Sequence, residues 1–299
     1  MESTKKGRCP ACNNSQADSK GEKNGFLVYR CKDCRTLYTL HLDEKVAAYD
    51  YDVYYTDKNL SVPQFVHQRA DEVIGTFAAY RTNGRLLDVG CGAGVLLQAA
   101  MRAKWDAEGL EVSPPAVAFL RSAGCKVKCG YLESVGYPAG SFDVVVASGV
   151  LEHIPNVERF TREIGRVLRP GGLFYATTPN GDGISARLLG IKWSVVAPPE
   201  HLHLYSISGI RTFLTSCGII PLKVAAESVN PFEIVHVLRG LARGKSGNKK
   251  AFDRVESSYA FNQAFTKSSL RRLTKKCINH ALSASGYGDE LKIYSVKKA

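Results

Sequence analysis

The sequence lacks the long hydrophobic segments that would place the chain in or across a membrane. Its 299 residues contain no uninterrupted apolar run of about 18, the length that a membrane-spanning helix needs. Residues 1–9 also lack the apolar stretch of a secretory signal peptide. The sequence contains no internal repeat. We therefore expect a non-repetitive protein with a cytoplasmic location.

Composition allows a sizeable folded core and favours anionic partners. The apolar content of 44% in 299 residues is enough for a complete α/β core with a small additional module. The net charge is +12. An excess of positive charge attracts nucleic acid, phosphorylated substrates or a lipid surface, and the charge alone does not distinguish these partners.

Nine cysteines are present, and four of them form two tight pairs at the N-terminus. The pairs are Cys9-Pro-Ala-Cys12 and Cys31-Lys-Asp-Cys34, a spacing that favours one structural Zn²⁺ over disulfides. Residues 25–30 between them read as a strand of a zinc ribbon, and we assign residues 1–42 to this module. About 40 residues with so few apolar side chains need a metal to fold, although free thiols in a disordered tail are the alternative.

Residues 43–81 are predicted to link this module to the main domain. The first part is rich in acid and tyrosine, and residues 63–80 have the apolar spacing of a helix. The aromatic part is either a packed connector or a wall of the ligand site formed by some of Tyr49, Tyr51, Tyr54 and Tyr55.

Residues 82–299 alternate strand and helix patterns, which predicts an α/β fold with a doubly wound parallel sheet. The first strand, 86–89, runs into Gly90, Gly92 and Gly94, and a helix begins at Val95. Ligands of such sheets bind at the carboxyl ends of the strands. The other predicted strands are 107–112, 125–129, 142–147, 173–178, 219–226 and 291–296, with a basic helical insert at about 230–288 before the last one.

The glycine turn differs from the dinucleotide-binding pattern in two ways. Val95 stands where that pattern needs its last glycine, and Asp88 precedes the first glycine. A carboxylate at Asp88 repels a pyrophosphate but suits a cationic ligand that carries an amino group. Glu111, about 20 residues further on, can present a carboxylate to a ribose diol. Both differences disfavour a dehydrogenase.

The motifs LLDVGCGAG, SFDVVVASGVLEHIPN and VLRPGGLFYATTPN, together with Glu111, resemble the class I S-adenosylmethionine-dependent methyltransferases over about residues 60–227. The cysteine pairs, PPEHLHLYS at 198–206 and the ending GYGDELKIYSVKK resemble one bacterial subgroup associated with methylation of sugars, surface polysaccharides or other small molecules. This resemblance implies a Rossmann-like methyltransferase sheet and S-adenosylmethionine as the cofactor.

The resemblance also implies which residues hold the cofactor. Asp88 and the glycine turn would hold the methionine part of the cofactor. Glu111 would hold the ribose of the cofactor, and Val112 would lie beside its adenine. Tyr131 stands where many relatives have an aspartate for the adenine amino group, so the Leu132 backbone amide is the candidate there. The full predicted set is Asp88, Gly90, Cys91, Gly92, Gly94, Glu111, Val112, Tyr131, Leu132 and Ser148.

Three histidines are candidate general bases: His153, His201 and His203. Methyl transfer from a sulfonium depends mainly on alignment, and a base is needed only when the acceptor loses a proton. His153 follows the fourth predicted strand, whereas His201 and His203 share a face if their segment is extended. Structural hydrogen bonding is the alternative role for each of them.

Residues 239–276 carry eleven Lys or Arg against two acids. A solvated capping helix, attraction to a phosphorylated or lipid-linked acceptor at a membrane surface, and RNA binding are three explanations of this excess. In the last predicted helix, Leu270, Leu273, Cys277 and Ala281 line one face. The leading functional hypothesis is a methyltransferase of a sugar, glycan or other small molecule. The alternatives are an RNA methyltransferase and a zinc-ribbon binding protein with a lapsed active site.

Overall fold

The computed structural model describes residues 7–39, 60–242, 257 and 269–298. The four linker tyrosines, Tyr49, Tyr51, Tyr54 and Tyr55, lie outside the described residues. The chain divides into two compact units. The first unit is Met1–Val46, Thr178–Thr212 and Ala225–Lys292, and the second unit is Ala47–Thr177, Phe213–Val224 and Ile293–Ala299. Among the described residues, no helix is both long and apolar enough to cross a membrane.

The strands and helices follow the predicted alternation. The strands are β1 (Ala17–Lys23), β2 (Phe26–Cys31), β3 (Leu37–Thr39), β4 (Arg85–Val89), β5 (Asp106–Glu111), β6 (Val127–Cys129), β7 (Phe142–Ser148), β8 (Leu168–Pro179), β9 (His203–Leu204), β10 (Ile219–Glu227) and β11 (Glu290–Lys297). The helices are α1 (Gln64–Gly75), α2 (Val95–Arg102), α3 (Pro114–Ser122), α4 (Leu132–Val135), α5 (Val157–Val167), α6 (Ile184–Leu189), α7 (Ile207–Ser216), α8 (Pro231–Ala242) and α9 (Ser269–Ser285).

A seven-stranded sheet, in the order β10-β11-β8-β7-β4-β5-β6, supports the glycine turn. Strand β4 pairs in parallel with β5 and β7, β5 with β6, and β7 with β8. The carboxyl ends of these five strands therefore lie along one edge. The prediction of a parallel arrangement is confirmed for β4–β8, whereas the complete sheet is mixed and not wholly parallel. Strands β10 and β11, which complete it, lie outside the repeated strand–helix units that enforce parallel pairing.

A buried apolar cluster holds the second unit together. It joins the inner faces of α1 and α2 to strands of the sheet through side chains such as Phe77, Leu97, Leu120, Val144 and Tyr175, each no more than 3% exposed. At about 25 cal/mol for each Å² of apolar surface removed from water, such a cluster is the dominant stabilising contribution.

Some predicted boundaries shift. The helix predicted over residues 63–80 ends at Gly75, and a short 3₁₀ turn at Ala78–Tyr80 follows. Strand β8 begins at Leu168, five residues before the predicted strand 173–178, so the Arg169-Pro-Gly-Gly172 segment lies inside it. Ser113 occupies the N-cap position of α3, but its side chain makes no capping hydrogen bond.

In the first unit, the N-terminal hairpin belongs to a second sheet. Its order is β1-β2-β3-β9, and β9 pairs antiparallel with β3 through Leu37↔Leu204 and Tyr38↔His203. Beneath it, Val28 and Leu37 belong to an apolar cluster with Leu189, Trp193 and Leu204. The cysteine-bearing hairpin therefore shares both its sheet and its core with residues 186–204.

Candidate cofactor site and cysteine cluster

The turn after β4 has a shape that requires glycine at two positions. Gly90 has φ 64°, and a Cβ there would lie 2.7 Å from Val150 Cγ2. Gly94 has φ 74° and is the N-cap residue of α2, and a Cβ there would collide with the Leu120 side chain. Left-handed backbone without a Cβ therefore lets Val150 and Leu120 pack directly against the turn at the start of α2.

Glu111 is tied directly to this turn. Its Oε2 atom accepts a hydrogen bond of 2.9 Å from Gly92 N–H, and its Oε1 atom accepts bonds of 2.8 and 3.1 Å from the amides of Val112 and Ser113. The side chain is 3% exposed. Three main-chain donors thus hold the carboxylate at the carboxyl end of β5, next to the glycine turn, as the sequence predicts.

Asp88 lies beneath the turn rather than on its surface. It is 2% exposed, and the backbone N–H of Leu97 in the first turn of α2 donates a hydrogen bond to it. Burial raises the pKa of Asp88 to about 7, and the nearby Glu111 charge adds to this, while the bond from Leu97 opposes it. The carboxyl group is therefore poised to titrate near neutral pH.

The other predicted cofactor residues differ in what they expose. Cys91 is 8% exposed and belongs to the apolar cluster of the second unit, so it offers the turn only its backbone. Leu132 is 1% exposed at the start of α4, whereas Tyr131, the preceding residue, is 64% exposed. Val112 is half-buried directly after Glu111. Tyr131 follows β6, which pairs with β5 through Glu111↔Cys129, so it lies at the same sheet edge as Glu111.

Strand β7 brings Ser148 and His153 to the same edge. The Ser148 hydroxyl lies 2.8 Å from Thr177 Oγ1 on β8, and Gly149 N–H donates to the Thr177 carbonyl at 2.9 Å. His153 ends a 3₁₀ turn that begins at Leu151 and is half-buried, with its N–H bonded to the Val150 carbonyl at 3.0 Å.

The remaining two histidines belong to the first unit and differ in environment. His201 Nδ1 lies 2.6 Å from the Val195 carbonyl, so this nitrogen carries a proton and Nε2 is the atom that accepts one. Its Nε2 atom lies 3.9 Å from Glu200 Oε1. His203 lies on β9 and is 2% exposed. Because β9 contains only His203 and Leu204, His201 precedes the strand.

The four N-terminal cysteines converge on one point. The sulfur atoms of Cys9 and Cys34 are 3.6 Å apart, those of Cys12 and Cys31 are 3.5 Å apart, and all four lie within 4.8 Å of one another. A tetrahedral Zn²⁺ with Zn–S bonds of about 2.3 Å separates its sulfurs by about 3.8 Å. The residues present therefore fit a closed, four-thiolate zinc site.

The two cysteine pairs have the same backbone shape. Asn13 N–H donates to the Cys9 carbonyl at 2.8 Å, and Arg35 N–H donates to the Cys31 carbonyl at 3.2 Å. Both Asn13 and Arg35, each directly after a second cysteine, have φ 63°. Such repeated tight turns direct both thiols of each pair to one side, which is what a shared metal requires.

The pKa values of the thiols differ within the cysteine cluster. The hydrogen bond from Cys9 lowers the pKa of Cys34 to about 5, whereas the same bond and burial raise the pKa of Cys9. Burial also raises the pKa of Cys12 to about 11. One thiolate therefore forms at the expense of its neighbours, and four thiolates coexist only around a metal ion.

The sequence alone does not indicate some of the residues that shape these sites. Val150 and Leu120 fill the space that Gly90 and Gly94 leave, and Thr177 holds Ser148. In the first unit, Ser206 and Ser208 donate hydroxyl hydrogen bonds to the Cys34 carbonyl. Ser206 also caps α7, because its hydroxyl oxygen accepts a hydrogen bond of 2.9 Å from Gly209 N–H.

Comparison with known proteins agrees with this geometry. The profile of the family described as "Methyltransferase domain" matches residues 64–219, slightly more than half of the chain. The ubiquinone biosynthesis O-methyltransferase of Ralstonia nicotianae is 29% identical over 49% of this chain and 67% of its own length. The enzyme of the same name from Bordetella avium is 27% identical over 52% of this chain and 70% of its own length.

A solved structure supports the fold. The S-adenosylmethionine-dependent methyltransferase of Archaeoglobus fulgidus superposes with a TM-score of 0.53 at 17% identity, covering 83% of this chain and all of the other. The glycine turn and the acid at the end of β5 both lie within the residues that the family profile matches. The chain therefore belongs to the methyltransferase-domain family and is a class I S-adenosylmethionine-dependent methyltransferase.

Proposed function

We propose that this protein methylates a small molecule, a sugar, glycan or other biosynthetic intermediate, with S-adenosylmethionine as the donor. The observation that carries the donor assignment is the direct hydrogen bond between Glu111 and Gly92 N–H, which joins the acid and the glycine turn into one site. The acceptor class is supported by the two relatives named for ubiquinone biosynthesis, because their named product is a small molecule.

Each cofactor residue has a proposed role that follows from its chemistry. The bound cofactor supplies an electrophilic methyl group on a sulfonium. The turn from Gly90 to Gly94, including the Cys91 backbone, approaches the methionine part, and Asp88 below it offers negative charge to the cationic groups. Glu111 has two oxygens fixed by main-chain donors, and their remaining lone pairs can accept from ribose hydroxyls. Val112, Tyr131, Leu132 and Ser148 complete the proposed set.

A histidine would take the proton if the acceptor loses one. His153 follows β7 in the second unit and shares the sheet edge of the proposed cofactor site. His201 has the tautomer that a base needs, because its Nδ1 proton is committed to the Val195 carbonyl. His203 is the most buried of the three and is held in a strand, which suits a structural role.

The cysteine cluster is proposed to hold a structural Zn²⁺. Cys9, Cys12, Cys31 and Cys34 would supply all four ligands, so the ion has no open position for substrate. Its proposed contribution is to keep β1, β2 and β3 folded. The sulfur separations of 3.5 and 3.6 Å are what support this assignment.

The test uses labelled S-adenosylmethionine with cell extract that has been separated into a low-molecular-mass fraction and an RNA fraction. We expect label to enter the low-molecular-mass fraction with wild-type protein. Glu111→Gln should weaken cofactor binding in calorimetry roughly ten- to a hundredfold, because it removes a charge-assisted hydrogen bond. Glu108→Gln, three residues earlier in the same strand, is the matched control and should bind normally.

The alternatives have distinct results. Label in the RNA fraction, with an affinity for RNA that falls steeply with salt, would favour an RNA methyltransferase, the reading that the net charge of +12 supports. A folded, zinc-loaded protein that binds no S-adenosylmethionine would contradict the proposal and favour a binding protein with a lapsed site.

A further inference from the structure

Helix α9 presents its apolar side to solvent. Leu273 is 58% and Ile278 is 45% exposed, and Cys277 and Ala281 are exposed as well. The opposite side faces its own unit, because Asn279 Oδ1 accepts a hydrogen bond of 3.3 Å from Ser228 N–H. A surface helix of a globular protein normally turns its apolar stripe to the core. Here that stripe points outward.

The outward apolar residues share one side of the helix with an exposed cation beside them. At roughly 100° per residue, Leu273, Cys277, Ala281 and Ile278 span about 140° of the helix surface. Lys276 is exposed and lies about 60° beyond Leu273, whereas Lys275 is half-buried on the side of Asn279. Within Ser269–Ser285, Arg271 and Arg272 bring the cations to four, and the helix contains no acid.

We propose that α9 is an interfacial helix that docks this protein on a membrane surface rich in anionic lipid. An exposed apolar stripe beside Lys276, on a helix with four cations and no acid, matches such a surface, because the stripe enters the acyl boundary while cationic groups interact with headgroups. Anionic headgroups near the helix then attract its cations electrostatically. This docking is independent of the proposed methyl acceptor.

Other occupants fit this surface less well. In a symmetric pair of two copies, stripe against stripe, two helices that each carry four cations and no acid would lie side by side, and like charges repel. Single-stranded RNA would need aromatic side chains on which its bases stack, whereas the stripe is made of Leu, Ile, Cys and Ala. A planar anionic surface satisfies both the stripe and the positive charge of the helix.

A similar stripe occurs elsewhere in the first unit. Phe232, Val235 and Leu238 of α8 are 53%, 44% and 44% exposed, and Arg239 follows them. The other side of α8 packs on the apolar cluster of the first unit through Ile234 and Val237. Helix α8 is thus anchored by one face, while its second apolar face is exposed to solvent.

The test measures co-sedimentation of the zinc-loaded, full-length protein with vesicles of phosphatidylcholine alone or with about one-third phosphatidylglycerol. We expect binding to the anionic vesicles only, weakening as salt increases. Leu273→Glu should reduce the partition coefficient at least tenfold, and Lys276→Gln about fivefold, since each cation near such a surface contributes about that factor.

Matched controls come from the edge strand β10 of the second unit. Leu222 is 53% exposed and Lys223 is exposed. Leu222→Glu and Lys223→Gln therefore make the same two substitutions on a different surface. Both should leave vesicle binding unchanged, and all four variants should retain the circular dichroism of the wild type. Absence of binding to anionic vesicles at low salt would overturn the proposal. It would also be overturned if Leu273→Glu abolished a dimer in sedimentation velocity, which would assign the stripe to a second copy.

Discussion

The two units of this chain are stabilised by different means. The second unit has an apolar cluster of eighteen buried residues, most of them supplied by consecutive strand–helix segments. In the described part of the first unit, one cluster has eight buried residues, drawn from two separated stretches of chain. Since stabilisation scales with buried apolar surface, this smaller cluster contributes less than the larger one.

Two aspartates illustrate the difference. In the second unit, Asp143 is fully buried, and its Oδ2 atom accepts hydrogen bonds from the backbone amides of residues 82–84 at 2.7–2.8 Å. Arg169 binds its other oxygen at 2.6 Å. Burial opposes ionisation, but these bonds outweigh it and lower the pKa of Asp143. Fixed main-chain donors thus connect the segment before β4 to β7.

In the first unit, Asp182 is held by side chains instead. Arg30, Arg35 and Arg187 approach its oxygens at 2.8, 3.1 and 2.6 Å, and the aspartate side chain is 16% exposed. Three mobile guanidinium groups must be ordered to make these bonds, which costs side-chain entropy. The comparison teaches that the first unit uses side-chain ion pairs where the second unit uses main-chain donors, and the metal proposed for its cysteine cluster would add to them.

The largest expected effect is therefore metal removal. Chelation, or Cys31→Ser, should unfold the N-terminal hairpin, because apparent zinc-binding energies of about 10–16 kcal/mol are comparable with the stability of a whole domain. Hydrogen exchange should show loss of protection at Val28 and Leu37 while the amides of β4 and β7 stay protected. Zinc analysis should give one ion per chain before treatment.

The control for metal removal is Cys129→Ser, since Cys129 is exposed in the second unit. It should retain one zinc ion and normal protection. A purified wild-type protein with no bound zinc, or a hairpin that keeps its protection in chelator, would show that the first unit does not rely on a metal.

A smaller effect is expected in the second unit from Gly94→Ala. The substitution places a Cβ against Leu120 in left-handed backbone, which we expect to cost about 2–4 kcal/mol of unfolding free energy. Urea denaturation measures it. The control is Gly75→Ala at the end of α1, where the site is open and φ is not positive, so stability should stay within about 1 kcal/mol. Equal stability of the two variants would contradict the strained turn.

The two units also differ in how far the sequence predicts them. The order of strands and helices in the second unit follows from local patterns, because each strand–helix segment is contiguous and its glycine turn is specific. In the first unit, β9 is only two residues long and pairs with β3 more than 160 residues away. Periodicity carries no information on such a pairing.

Side-chain environments were the least predictable part of both units. The stripe of Leu273, Cys277 and Ala281 has helical spacing, but spacing alone does not say whether a face points to the core or to solvent. Likewise, the sequence predicts that Asp88 faces a ligand. In the structure it is buried beneath the turn, where it accepts a hydrogen bond from the backbone N–H of Leu97. Which neighbours surround a residue depends on tertiary packing, and a local pattern does not contain it.

The smallest expected effect is a pH dependence of the second unit that comes from Asp88. Its folded pKa of about 7 lies above the unfolded value of 3.8, so the folded cofactor-free state prefers the protonated carboxyl, and this residue's contribution to stability falls as pH rises from about 4 to 7. A cationic cofactor needs the carboxylate. Affinity for S-adenosylmethionine should therefore weaken up to about tenfold per pH unit as pH falls from 7 to 5.5.

Calorimetry in two buffers of different ionisation enthalpy should detect proton release on cofactor binding at pH 6. Asp88→Asn should abolish both this proton release and the dependence of affinity on pH. A wild-type affinity that stays constant from pH 5.5 to 7.5 would show that Asp88 supports α2 without contacting the cofactor's charge.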